Sequence, residues 1–233
     1  MISISVCMTT YNGESFLKEQ IDSILVQLSE YDELIICDDN STDNTKRILD
    51  NYNRDKRISI VFNKINIGIV CNYKKACEMS KNSIIVLSDQ DDVWLDGRLS
   101  RIRKEFTNGA DMVITNGHIV DSNLNRIGST LFKIYPPTTS LIRNFYRNCF
   151  VGCTMAMDRT KLMRILPSLE EVPMHDWYIG LKFITLRSKI VFVHEPYMLY
   201  RRHGSNNSET GSKSKYSIIK KLLMRFTLIK VIF

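Results

Sequence analysis

The 233-residue chain has no run of about 18 uninterrupted apolar residues, so no part of it reads as a membrane-spanning helix. Its opening, Met1-Ile2-Ser3-Ile4-Ser5-Val6, is short and lacks a basic segment, which argues against a secretory signal. No Gly-x-Gly-x-x-Gly follows the first apolar stretch, and no Gly-x-x-x-x-Gly-Lys-Ser/Thr occurs anywhere. A dehydrogenase-type dinucleotide fold and a P-loop are therefore disfavoured. The six cysteines (Cys7, Cys37, Cys71, Cys77, Cys149, Cys153) lack zinc-site spacing, and Cys7 and Cys37 sit inside apolar runs. A reduced, cytoplasmic setting is the simpler expectation. Internal repeats and a clear interdomain linker are missing too. From Lys213 onward there is no acid, so much of the +7 net charge belongs to the tail. That basic tail has no aromatic platform beside it, and nucleic acid is not an expected partner.

What is present is ordinary globular composition, 44% hydrophobic and 24% charged, enough to bury a sizeable core. The first 115 residues alternate strand and helix. Strands are expected at 2–9, 34–37, 58–62, 84–87 and 112–115, and helices at 16–28, 42–52, 69–80 and 95–106. Ser15 is the expected cap of the first helix, and Ser41 or Thr42 of the second. Such alternation predicts an α/β fold with a mostly parallel sheet covered on both faces. Beyond residue 115 the pattern loosens. A hairpin is expected at 118–128, short helices at 141–146 and 160–166, and a helix at 176–187. Phe150 to Met157 reads as a strand interrupted by Gly152, a sign of close backbone approach. Two further strands are expected at 189–193 and 197–201.

Three apolar strands run directly into polar clusters: Thr9-Thr10-Tyr11-Asn12-Gly13-Glu14, Asp38-Asp39-Asn40-Ser41-Thr42-Asp43, and Ser88-Asp89-Gln90-Asp91-Asp92-Val93-Trp94. In an open parallel sheet, ligands sit at the carboxyl ends of the strands. Carboxylates packed as in Asp89-Gln90-Asp91-Asp92 are costly beside a buried strand unless a cation offsets them. Asp89 and Asp91 are thus candidate ligands for Mg²⁺ or Mn²⁺ on a diphosphate. A solvated turn that caps the next helix, with Asp92 as its start, is the competing reading. Asp38 and Asp39 suit hydrogen bonds from a nucleobase or ribose, or from a helix start. Asp176 stands at a helix start, either as a cap or as a base awaiting a substrate proton. Trp94 and Trp177, the only tryptophans, suit either a sugar face or the core.

Together with Asn66-Ile67-Gly68, Asn72 and His175-Asp176-Trp177, these motifs resemble family 2 glycosyltransferases of the GT-A fold, over about residues 2–205. The resemblance implies an inverting, metal-dependent transfer from a nucleotide-sugar donor to a saccharide or lipid-linked saccharide acceptor. Asp89-x-Asp91 would be the metal motif and Asp176 the base. Thr10, Tyr11, Asn12, Glu14, Asp38, Asp39, Asn72, Asp89, Gln90 and Arg202 would bind the donor; Trp94, His175 and Trp177 would meet the acceptor. In Tyr200-Arg201-Arg202-His203, Arg201, Arg202 or His203 would bind phosphate, or His203 would be a third metal ligand, or else a plain surface residue. Gly204 to Ser212 would be a lid. The form of the Asp89 motif looks most like rhamnosyltransferase-type members that build bacterial surface polysaccharides, with dTDP-rhamnose or a UDP-hexose as donor. Residues 1–115 would be the donor half, 116–205 the acceptor half and 206–233 an appended tail.

That tail interleaves Ile218, Ile219, Leu222, Leu223, Phe226 and Leu228 with lysine and arginine. It reads as a basic amphipathic helix that either lies on the cytoplasmic face of a membrane or docks on protein. The rival functions are a sugar-phosphate nucleotidyltransferase, which would want basic residues near Thr9–Gly13, and a non-catalytic nucleotide-sugar-binding protein.

Overall fold

Strand β1 (Ile4–Thr10) is buried along its whole length, as a central parallel strand must be. The computed structural model describes residues 2–204 and 217–232. On one side of β1 lie β2 (Glu33–Asp38) and β3 (Ile58–Phe62), on the other β4 (Ile84–Ser88), and all four strands run parallel. The neighbour of β4 is not the next strand in sequence. It is β8 (Met155–Asp158), which runs antiparallel and separates β4 from β6 (Met112–Val120). Beyond β6 comes β9 (Ile190–Arg201), one continuous strand where two are expected, and then β5 (Val93–Trp94) at the edge. The expected hairpin forms, with β7 (Arg126–Thr130) folding back on the end of β6. The sheet is thus parallel over β3, β2, β1 and β4 and mixed beyond them.

The two-residue period of β1 sorts the core into two layers. Ile4, Val6 and Met8 face α1 (Leu17–Leu25) and α4 (Arg98–Thr107), through Leu17, Ile21, Ile24, Leu99 and Ile102. Cys7 faces the opposite layer, where α3 (Ile69–Met79) packs through Tyr73, Ala76 and Cys77. The same layer holds α8 (His175–Thr185) and α9 (Ile218–Ile232). The remaining helices are short: α2 (Thr45–Asp50), α5 (Leu131–Ile134), α6 (Leu141–Tyr146) and α7 (Arg159–Ile165). All six cysteines are free thiols. Among the described residues no helix is long and apolar enough to cross a membrane.

Some expected helix starts differ. Ser15 does not cap α1; the Gly13 carbonyl accepts from the amides of Phe16 and Leu17 instead. The Thr45 amide at the start of α2 goes to Asp43, not to Ser41 or Thr42. Asp92 starts no helix: α4 begins six residues later, after Gly97, whose φ is +82°. The tail helix forms and docks, with Met224, Leu228 and Ile232 buried, while Leu222, Leu223 and Phe226 stay exposed. Both readings of the tail thus keep a surface of their own.

Gly180, inside α8, shows how tightly that helix is seated. A Cβ there would lie 2.1 Å from the Phe150 ring. Gly180→Ala should therefore destabilise the protein by about 1–2 kcal/mol, overpacking outweighing the helix-propensity gain. Thermal unfolding checks this against Gly128→Ala, a position with open space around it. Equal melting temperatures for the two variants would refute the tight fit.

Candidate active site

The three polar strand ends meet on one edge of the sheet. The loop after β1 is zipped to the loop after β2 by cross-bonds. The Asn12 and Gly13 amides donate to Ser41 Oγ and Thr45 Oγ1 at 2.9 and 2.8 Å. Asn12 Oδ1 accepts from the Thr42 amide at 2.8 Å, and Glu14 Oε2 from Asn44 at 2.7 and 2.9 Å. Gln90 ties the third loop in: its Oε1 accepts from Thr10 Oγ1 at 2.6 Å and from the Tyr11 amide at 2.9 Å. A Cβ on Gly13 would sit 2.3 Å from Gln90 Oε1, so a glycine is needed there for close approach.

Several expected donor contacts are framework. Asp38 is wholly buried, its two oxygens taken by the Ser41 amide and hydroxyl. Asn72 is buried as well and bridges the Cys37 carbonyl to Asn63. Thr10 is buried against Gln90. Asp39 holds the Asn63 side chain and the amides of Ile67 and Gly68, at 2.9, 2.8 and 2.9 Å. The Asn66-Ile67-Gly68 motif is therefore Asp39's cradle, and Gly68 supplies the positive φ of +83° that it needs. Tyr11 extends its side chain to solvent from the same edge. Arg202 is half-buried just beyond β9, its amide bonded to Val120.

Beyond β4 the carboxylates separate by environment. Asp89 accepts from the Tyr73 hydroxyl at 2.6 Å, and Asp91 Oδ2 lies 2.9 Å from His203 Nε2. Asp92 is wholly buried and accepts from the Arg201 amide at 3.1 Å; its other oxygen has no partner among the described residues. Burial first, then the charge of Asp91, pushes the Asp89 carboxyl up to about 6, and Asp92 goes up further for the same reasons. Asp89, Asp92 and Cys153 bring their ligand atoms within 4.8 Å of one another. Burial pushes the Cys153 thiol well above its usual range, so it stays protonated and is a poor ligand for a hard cation. Carboxylate oxygens and an imidazole suit Mn²⁺ or Mg²⁺ better; Asp91 and His203, paired with each other, fall outside that cluster, and a cation beside the carboxylates would offset their crowding.

Asp176 faces this cluster closely enough to feel the charge of Asp89. Its Oδ1 accepts from the Trp177 amide at 2.6 Å, and the Gly152 amide is directed at it as well. Removal from water outweighs these hydrogen bonds and raises the carboxyl to about 7. Its neighbours face elsewhere, because residues one apart on a helix diverge by about 100°. His175 is buried between the Tyr73 ring, at 4.5 Å between centroids, and Gly152, where a Cβ would lie 2.6 Å from Nε2. Burial lowers His175 to about 4, so it is neutral. Trp177 is buried, its indole donating to the Asn144 carbonyl at 2.8 Å. Trp94 is buried too, its ring 4.2 Å from the Arg98 guanidinium. These three are packing residues where acceptor contacts were expected.

A match to the family described as Glycosyl transferase family 2 spans residues 5–166. The chain belongs to this family. It is 28% identical over 183 residues to the UDP-Glc:α-D-GlcNAc-diphosphoundecaprenol β-1,3-glucosyltransferase WfgD of Escherichia coli, covering 78% of this chain and 69% of that one. It is 28% identical over 165 residues to the putative teichuronic acid biosynthesis glycosyltransferase TuaG of Bacillus subtilis, covering 70% and 64%. To the dTDP-rhamnosyl transferase RfbG of Shigella flexneri it is 26% identical, covering 90% and 76%. Among solved structures, S. aureus TarS 1–349 in complex with UDP-GlcNAc superposes with a TM-score of 0.72 at 16% identity, over 98% of this chain and 66% of that one. The fold of this glycosyltransferase is GT-A, and the chain spans about two thirds of the length of TuaG and of TarS 1–349.

Two residues take roles at the site that their sequence context did not assign. Tyr73 joins the Ser88 carbonyl, Asp89 and the His175 ring, yet along the chain it reads only as a core position on a helix. Arg201 binds the Asp91 carbonyl at 2.8 Å, Ser122 and Glu19, and lies over the Phe16 ring. It was expected only as one of three phosphate candidates with Arg202 and His203, and burial sets it apart from them.

An unfolded aspartate titrates near 4, and Asp176 near 7. Between those values the native state holds a proton that the unfolded chain has lost, so this group lowers stability as pH rises from about 4 to 7, with no further loss above. Asp176→Asn should thus stabilise the fold at pH 8 by on the order of 1–3 kcal/mol and leave it unchanged at pH 4. Denaturant unfolding at the two pH values measures this. No gain at pH 8 would mean that the carboxyl is not raised.

Proposed function

We propose that this glycosyltransferase moves a sugar from a nucleotide-diphosphate sugar to a hydroxyl of a saccharide or lipid-linked saccharide, with inversion, in the assembly of a cell-surface polysaccharide. The observation that carries the reading is Asp176: a carboxyl raised by burial to about 7, held by the Trp177 amide and close enough to Asp89 to feel its charge. A general base works best with its pKa near the working pH. Asp176 takes the proton of the acceptor hydroxyl as its oxygen bonds to the anomeric carbon, and the bond from that carbon to the diphosphate oxygen breaks on the opposite face. One displacement inverts the centre.

The donor lies along the edge built by Tyr11, Asn12, Glu14, Asp39, Gln90 and Arg202, with Thr10, Asp38 and Asn72 supporting it from within. Asp89, Asp91 and His203 would hold Mn²⁺ or Mg²⁺, which would supply positive charge for a departing diphosphate. The names of WfgD and RfbG support a UDP-hexose or dTDP-rhamnose donor, and that of WfgD an acceptor on a polyprenyl diphosphate.

Thermal unfolding with a panel of nucleotide sugars, with and without Mn²⁺, should show metal-dependent stabilisation by one donor class. Asp176→Asn should keep that response and lose transfer by about 100-fold or more. Silence toward every nucleotide sugar, or near-full transfer by the variant, would overturn the reading.

The exposed side of α9 supports a peripheral position on the cytoplasmic face of the membrane. Ile219, Leu222, Leu223, Phe226 and Ile229 are exposed there beside Lys220, Arg225 and Lys230. Cations beside apolar groups favour anionic lipid. The triple variant Leu222→Ser, Leu223→Ser, Phe226→Ser leaves the docked side intact. It should lose flotation with anionic liposomes that the unaltered chain shows; equal flotation rules this surface out.

A further inference from the structure

A cavity of about 370 Å³ lies away from the carboxylates, between the Tyr135-Pro136-Pro137-Thr138 stretch and α6. Its size is that of a small-molecule site. Rings and aliphatic groups dominate its wall, and no acid lines it; the charged side chains there are Arg143 and Arg147. An apolar hollow with two cations and no counter-charge suits a ligand that is part hydrocarbon and part anion.

Its place in the fold narrows the choice. The wall helix α6 is bonded to the helix that carries the base, through Trp177 Nε1 and the Asn144 carbonyl at 2.8 Å. Cys149, on the wall, is three residues before Gly152, whose amide is directed at Asp176. At most about 11 Å of chain separates them. On its other flank α6 is fastened to α9: Arg225 Nη2 donates to the Tyr146 carbonyl at 2.9 Å. The helix α6, one wall of the cavity, thus touches both the helix that carries Asp176 and the partly exposed α9. At its mouth Ile142 and Tyr146 are 73% and 70% exposed.

We infer that this cavity binds the polyprenyl diphosphate end of a lipid-linked acceptor, with the first isoprene units against Tyr135, Pro136 and Ile142 and the diphosphate at Arg143 and Arg147. The inference rests on the glycosyltransfer reading and names the acceptor class for the same site. Seated there, the diphosphate would place the attached sugar toward Asp176, and the hydrocarbon would continue toward the lipid surface.

The test uses the full chain in EDTA, so that the metal-assisted donor edge is silent, with farnesyl diphosphate as probe and calorimetry as readout. Farnesyl diphosphate should bind, and farnesol and inorganic diphosphate should bind at least tenfold more weakly. Arg143→Gln with Arg147→Gln should weaken farnesyl diphosphate at least tenfold, and so should Tyr146→Ser, all three residues being exposed. Excess UDP should not displace the probe. No binding, displacement by UDP, equal binding of inorganic diphosphate, or variants that bind as the unaltered chain does would each overturn the inference. Nucleotide-sugar stabilisation, measured on the same variants, separates the two ideas. If it persists while farnesyl diphosphate fails, only the cavity assignment falls; if it is missing from the unaltered chain, the transfer reading itself has failed.

Discussion

The crowding of Asp89, Asp91 and Asp92 at the end of β4 is the constraint to which the rest of the site answers. Burying one ionised carboxylate without a partner costs several kcal/mol, and three in four positions compound the cost. The fold deals with each differently. Asp92, wholly buried, accepts one amide and is pushed toward its protonated form. Asp89 leans on a tyrosine hydroxyl, and Asp91 on an imidazole. Beneath them Arg98 is buried without exposed surface; its charge works against the raised Asp89, and its guanidinium lies on Trp94. Trp94 is therefore spent on holding a cation near the carboxylates, which explains why it offers nothing to a sugar. Arg201 closes the arrangement, tying the end of β9 to the Asp91 backbone and to α1. A segment nearly at the end of the catalytic domain is thereby held against a motif more than a hundred residues earlier.

The same economy governs Asp176. Two influences compete there. A helix start and two amides favour the anion, while loss of water and the Asp89 charge favour the acid. The second pair wins, and the result is a carboxyl near 7. This outcome could not be read from the helix start alone, which by itself argues for lowered basicity. It depends on His175 and Trp177 turning inward and sealing the helix against Tyr73 and α6, so that of the three only the middle residue is part-exposed.

Much of the framework was legible. Continuous apolar runs that end in polar residues identify parallel strands and say which end carries the chemistry, and Gly152 announced a close approach that proves to be with His175. What was not legible is pairing at long range. Nothing in Met155 to Asp158 says that it separates β4 from β6, because that choice is made by contacts across more than forty residues. Roles within a polar cluster were equally hidden. Asp38 and Asp39 belong to the strand-end motifs by composition, yet their partners are protein donors, and Asn72, on α3, donates to the Cys37 carbonyl. A carboxylate that organises a loop and one that meets a ligand look alike in a sequence; they differ in which donors the fold brings within 3 Å.

The tail shows the opposite case, a sequence with more information than one reading can use. Its apolar residues are too many for a single stripe, and the basic residues fall between two faces. Docking through Met224, Leu228 and Ile232 satisfies one face and leaves the other outward. A helix already packed loses no folding entropy when its second face meets lipid, so the apolar area on that face counts almost fully toward binding. The docked face also fixes orientation. Because Arg225 grips the end of α6, whatever surface α9 rests on is presented at a set angle to the cavity and, through Trp177, to Asp176. Rigid attachment to the catalytic domain, more than hydrophobicity as such, is what would let a surface-bound helix position a reaction.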